Sequence, residues 1–86
     1  MRPAATKWVH AEHYEVVGAA LTVARQRANL TQVQLAKRVG KPQSMISTIE
    51  AGMRRVDLVE FLVIVRALGT DPVEIFTEIA SSLSRY

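Results

Sequence analysis

The chain has 86 residues, 49% hydrophobic and 22% charged, which is room for one domain with one modest core and far from a disordered composition. It contains no cysteine, which excludes disulfides, thiolate metal sites and thiol nucleophiles and fits an intracellular protein. The net charge of +3 is unevenly placed: between residues 25 and 55, Arg25, Arg27, Lys37, Arg38, Lys41, Arg54 and Arg55 are set against Glu50 alone, as expected of a face built to meet a polyanion.

Residues 1–11 read as an amino-terminal extension and residues 12–86 as a single folded domain. The extension lacks the apolar stretch of a signal peptide. It offers three roles between which its residues do not choose: packing on the last helix, reaching across a dimer near Trp8, or entering a minor groove through Arg2 and Lys7.

The first helix is expected over residues 12–28, with Val17, Leu21, Ala24 and Ala28 at spacings of three and four. The second covers residues 32–39 and opens on a capping box, Thr31 with Gln34. The third covers residues 42–51, although Pro42 should shorten or tilt its start. The fourth covers residues 58–68 behind Asp57 and Glu60, a second capping box. The fifth covers residues 72–83, with Asp71 and Glu74 as a third box and Pro72 at the first helical position. Gly40, Gly52 and Gly69 follow helical stretches and suit left-handed helix ends. No segment alternates with a period of two, so the fold is expected to be all-α.

The fourth helix is apolar nearly all round. Leu58, Phe61, Leu62, Val65 and Leu68 form one stripe for the core, which leaves Val59, Val63 and Ile64 to be covered otherwise. The fifth helix (Val73, Phe76, Ile79, Ala80, Leu83) and a second copy of the chain are the expected covers, and a homodimer follows. The longest apolar run, residues 61–65, is far short of the roughly 20 residues that cross a bilayer, so a cytoplasmic protein without membrane contact is expected.

Residues 32–50 carry the functional signal. Leu35 and Val39 should turn inward from the second helix, and Ile46 and Ile49 from the third. Ala36 is small where the helices cross, and Gly40 permits positive φ in the turn. This is the spacing of a helix-turn-helix. With Ile46 and Ile49 inward, Gln43, Ser44, Ser47 and Thr48 fall on the outer face, where all four can bond base edges and a glutamine can pair with adenine N6 and N7.

On these residues, with Leu30-Thr31-Gln32, Ile49-Glu50, Gly52 and Leu68-Gly69, the chain resembles the Cro/repressor-type helix-turn-helix regulators over about residues 14–80. The resemblance implies a compact five-helix, lambda-repressor-like domain whose third helix enters the major groove of double-stranded DNA. It implies that Gln32 binds a phosphate and braces Gln43, and that Arg54 and Arg55 follow the DNA backbone. It also implies that Arg25 and Glu50 form a largely buried ion pair. Lys41, in the turn, is a further phosphate candidate, and Lys37 and Arg38 add non-specific attraction. Ala51 and Met53 depart from the family by replacing polar residues beyond the third helix.

His10 and His13, three apart, do not make a metal site without further ligands. There is no nucleophile with a base and acid beside it, and no phosphate-cradling glycine loop, so neither an enzyme nor a cofactor is expected. The expected function is sequence-specific transcription regulation by a repressor. The rival is a protein-interaction module of the same fold, such as an antitoxin holding a toxin or another protein partner. A controller protein of a restriction–modification system falls in the first class.

Overall fold

In a computed structural model, the structure describes residues 8–83. Among them are five helices, α1 (Ala11–Arg27), α2 (Gln32–Val39), α3 (Gln43–Glu50), α4 (Leu58–Ala67) and α5 (Pro72–Ser82), and no strand. Arg2 and Lys7, proposed for a minor groove, lie outside the described residues. Trp8 is 90% exposed.

Local chemistry starts and stops these helices where the sequence places its caps. Thr31 Oγ1 accepts the Gln34 N–H at 3.1 Å, and Gln34 Oε1 accepts the Thr31 N–H at 2.9 Å. Asp57 and Glu60 make the same reciprocal pair at 2.7 and 3.1 Å. Asp71 behaves differently. Its carboxylate accepts from Val73 N–H at 3.0 Å, one residue short of a capping box, and its ψ is 118° against 165° and 170° in the other two caps. The left-handed ends at Gly40, Gly52 and Gly69 are present, and Asn29, with φ of 58°, closes α1 in the same way. Pro42 is the N-cap of α3 rather than its first residue, so that helix does begin late.

Leu21, Leu35, Ile46, Ile49, Val65 and Ile75 are almost fully buried and form the centre of the core, with Ala24 and Ala36 at close crossings. α2 packs on α3, α1 lies against α3 and α5, and α4 lies against α2 and α5. Val39 is only half-buried, at the edge of the core.

The rotation of α4 differs from the expected stripe. Phe61, Ile64, Val65 and Leu68 face inward, whereas Leu58 is exposed and Leu62 half-buried. Ile64 therefore needs no second cover, while Val59 and Val63 remain exposed as expected. Both stripes have helical spacing, and an all-apolar helix leaves the choice to its neighbours. In α5 the buried residues are Ile75 and Ile79, and Val73 and Phe76 point outward instead of covering α4.

Gly18 sets how closely α1 meets α3. A Cβ at that position would stand 2.5 Å from the Glu50 carbonyl oxygen and 2.6 Å from that of Ile49. The end of α3 thus rests directly on the α1 backbone. No side chain fits between them.

Candidate nucleic-acid interface

α3 is short, amphipathic and uncharged apart from its last residue. Ile46 and Ile49 anchor its inner side, while Gln43, Ser44 and Thr48 are exposed and Ser47 is half-buried beside them. The four residues singled out from the sequence thus share one outer side of the helix. Thr48 Oγ1 donates back to the Ser44 and Met45 carbonyls at 3.1 and 2.9 Å, which leaves its lone pairs as the outward-facing function.

A chain of side-chain hydrogen bonds runs from the protein interior to this face. Arg25 Nε and Nη2 bond the two Glu50 carboxylate oxygens at 2.7 and 3.0 Å, and Arg25 Nη1 donates to the Leu30 carbonyl at 2.7 Å. The two side chains are only 12% and 6% exposed, so the largely buried ion pair implied by the resemblance is present. The Glu50 hydrogen bond, more than its charge, holds the Arg25 pKa above its ordinary value, against an opposing desolvation. Gln32 Nε2 then donates to Glu50 Oε1 at 2.9 Å, and Gln43 Nε2 donates to Gln32 Oε1 at 2.7 Å.

The polarity of this relay is forced. A guanidinium only donates and a carboxylate only accepts, so Gln32 must turn its NH2 to Glu50 and its carbonyl to Gln43. Gln43 must in turn give one amide proton to Gln32, keeping its oxygen and second proton for a partner outside. That is one acceptor beside one donor, the complement of the adenine N6 and N7 edge.

The cations sit to either side of α3. Lys41 in the turn and Arg55 after the helix are exposed, and the Arg55 guanidinium lies 5.9 Å from the centroid of the Tyr14 ring. Arg54 is engaged by Glu60, the acid that also caps α4: its Nη1 and Nη2 bond Glu60 Oε1 and Oε2 at 3.2 and 2.9 Å. That contact first, and the Asp57 N–H second, hold the Glu60 carboxyl at about 2, well below its ordinary 4.5. Arg38 donates to the Ala67 carbonyl at the end of α4, at 2.9 Å, which caps that helix while the guanidinium keeps its charge. Met53, beyond α3, is exposed, and its N–H closes the helix on the Thr48 carbonyl at 2.9 Å.

The two histidines belong to the start of α1. His10 N–H donates to His13 Nδ1 at 2.9 Å and their rings meet edge to face at 5.4 Å, which commits that nitrogen to capping. No group of three or more metal-ligating side chains comes together among the described residues, and no helix there is long and apolar enough to cross a membrane.

Residues 16–75 match the helix-turn-helix domain family. Among solved structures, the chain is similar to an XRE-family like protein from Pseudomonas syringae pv. tomato, at 37% identity and a TM-score of 0.72 over 83% of this chain and 89% of that one. It is similar to the restriction-modification controller protein C.AhdI from Aeromonas hydrophila, at 33% identity and a TM-score of 0.72 over 78% and 97%. It is also similar to the clp gene regulator ClgR from Corynebacterium glutamicum, at 27% identity and a TM-score of 0.77 over 83% and 92%. No curated protein matches it closely enough to count as a relative.

Proposed function

The chain belongs to the helix-turn-helix domain family, among the Cro/repressor-type DNA-binding regulators, and from that premise we propose that it is a transcriptional repressor acting as a homodimer on a two-fold symmetric operator. Membership of that family makes it a sequence-specific DNA-binding regulator and not an enzyme. In the proposed complex α3 lies in the major groove, Gln43, Ser44, Ser47 and Thr48 read base edges, and Gln32, Lys41, Arg54 and Arg55 hold phosphates.

The observation that carries the reading is the Arg25–Glu50–Gln32–Gln43 relay, which fixes the amide of the first α3 residue with its outward edge defined. The homodimer is supported by the exposed Leu58, Val73 and Phe76, of which Phe76, 55% exposed, has the bulkiest side chain. Two copies would bring their α3 helices to half-sites about 34 Å apart, one helical turn.

A second reading, that another apolar surface holds a different protein such as a toxin, is favoured by the exposed Val59 and Val63, which lie on α4 beside the helix-turn-helix. Selection of bound duplexes from a random pool tests the proposal. An inverted repeat with half-sites about one turn apart is the expected outcome. Recovery of unrelated sequences would remove both the operator and the base contacts.

A further inference from the structure

Arg54 has been assigned to phosphate, yet an acid grips it. Simple electrostatics makes Glu60 a handicap on a DNA-binding face, because its charge repels the backbone and competes for the arginine. The geometry gives the opposite sense.

Glu60 takes the end of the guanidinium formed by Nη1 and Nη2, and Nη1 also donates to the Arg55 carbonyl at 2.8 Å. The Nε–H and the remaining Nη2–H are left side by side along the other edge, and that edge is itself a fork of the spacing a phosphate accepts in bidentate fashion. The Arg54 side chain as a whole is 37% exposed. Glu60, meanwhile, is fixed at the first turn of α4 by its exchange of hydrogen bonds with Asp57. A long, otherwise adaptable side chain in the loop after α3 is thereby tied to a rigid helix start, and little of its freedom remains to be lost when DNA arrives.

We propose that Glu60 is a positioning residue for DNA binding: it clamps one edge of the Arg54 guanidinium and so presents the other edge to a backbone phosphate. Glu60 touches no DNA itself. The inference rests on the proposed DNA binding, and it adds an acidic residue on whose charge that binding depends.

The sign of one substitution decides it. Glu60→Gln removes the charge while keeping a residue that serves in a capping box, so α4 retains its start. The probe is a fluorescein-labelled mixed-sequence duplex of about 30 base pairs, long enough for two half-sites one turn apart, titrated by anisotropy across a salt series. Positioning predicts that Glu60→Gln weakens binding, by on the order of tenfold, and lowers the logarithmic salt slope by about 0.9 per protomer.

Arg54→Ala is expected to do the same, and the double variant to bind no worse than Arg54→Ala alone. Arg54→Lys, which keeps the charge but has no planar fork, is expected to behave like Arg54→Ala. Unchanged or tighter binding by Glu60→Gln would overturn the proposal, as would additive losses in the double variant. The Glu60→Gln midpoint is expected to fall below the parent's yet stay well above the assay temperature, so that lost binding reports the placement of Arg54; unfolding of Glu60→Gln alone at that temperature would assign Glu60 to stability instead. Failure of the parent chain to bind duplex even at low salt would instead refute DNA binding itself, and the positioning role with it.

Discussion

Replacing Gly18 with alanine puts two well-characterised effects in opposition. In the middle of a helix, alanine is favoured over glycine by about 1 kcal/mol, so propensity alone predicts a more stable protein. The added methyl, however, would stand 2.5 and 2.6 Å from the carbonyl oxygens of Glu50 and Ile49. A carbon ordinarily approaches a carbonyl oxygen no closer than about 3.3 Å, so α1 and α3 must separate by roughly 0.7–0.8 Å. Both obstacles are backbone, which cannot rotate aside. Overpacking of this kind costs about 1–3 kcal/mol, and contact with two immovable atoms places it near the upper figure. The net expectation is a loss of about 2 kcal/mol, which for a domain of this size lowers the melting temperature by roughly 8–16 °C. Thermal unfolding followed by circular dichroism measures this directly. A melting temperature equal to or above that of the parent would refute the close α1–α3 contact. Because the displaced residue is Glu50, the origin of the relay to Gln43, DNA affinity should fall as well.

Arg25→Ala leaves Glu50 buried without its cation, and urea denaturation should show a loss of roughly 3–5 kcal/mol; a loss under about 1 kcal/mol would mean that the pair is solvated. Glu60 titrates at about 2 in the folded chain against 4.5 ordinarily, so its contribution to stability is complete above pH 4.5 and fades as pH falls toward 2. Carboxyl chemical shifts followed by NMR should give that low midpoint, and Glu60→Gln should flatten the acid limb of the stability profile. Phe76→Glu places a charge in the proposed dimer contact, and sedimentation should then report monomers at concentrations where the parent is dimeric. Unaltered sedimentation would move the interface elsewhere.

The parts of this structure legible in the sequence are those determined within a few residues. The Thr31 and Asp57 caps need only their partners three positions on. Gly40 reveals itself because few other residues accept its φ of 70°. The outer face of α3 follows from the spacing of Ile46 and Ile49. The Arg25–Glu50 pair, 25 residues apart, came only through family resemblance, as did the bracing of Gln43 by Gln32.

What was missed depends on how helices sit against one another. α4 is apolar on nearly every side, so its periodicity does not say that Ile64 rather than Leu58 faces inward. Gly18 sits in α1 without breaking it, and the signal that might have revealed it is a glycine retained inside a helix where alanine would propagate better. Asn29 carried a usable signal, its tolerance of the left-handed conformation. The partners of Arg38 and Arg54, the Ala67 carbonyl and Glu60, leave no pattern in the sequence because α4 supplies them only after folding.

The assignment of α3 as the reading element is tested most directly by the ratio of affinities for a selected site and a scrambled duplex, measured for the parent and for Gln43→Ala at matched salt. A lost bidentate base contact should shrink that ratio by roughly 5- to 150-fold per half-site, the equivalent of about 1–3 kcal/mol, while the salt slope stays as it was. An undiminished ratio would show that the sequence is read by some other surface.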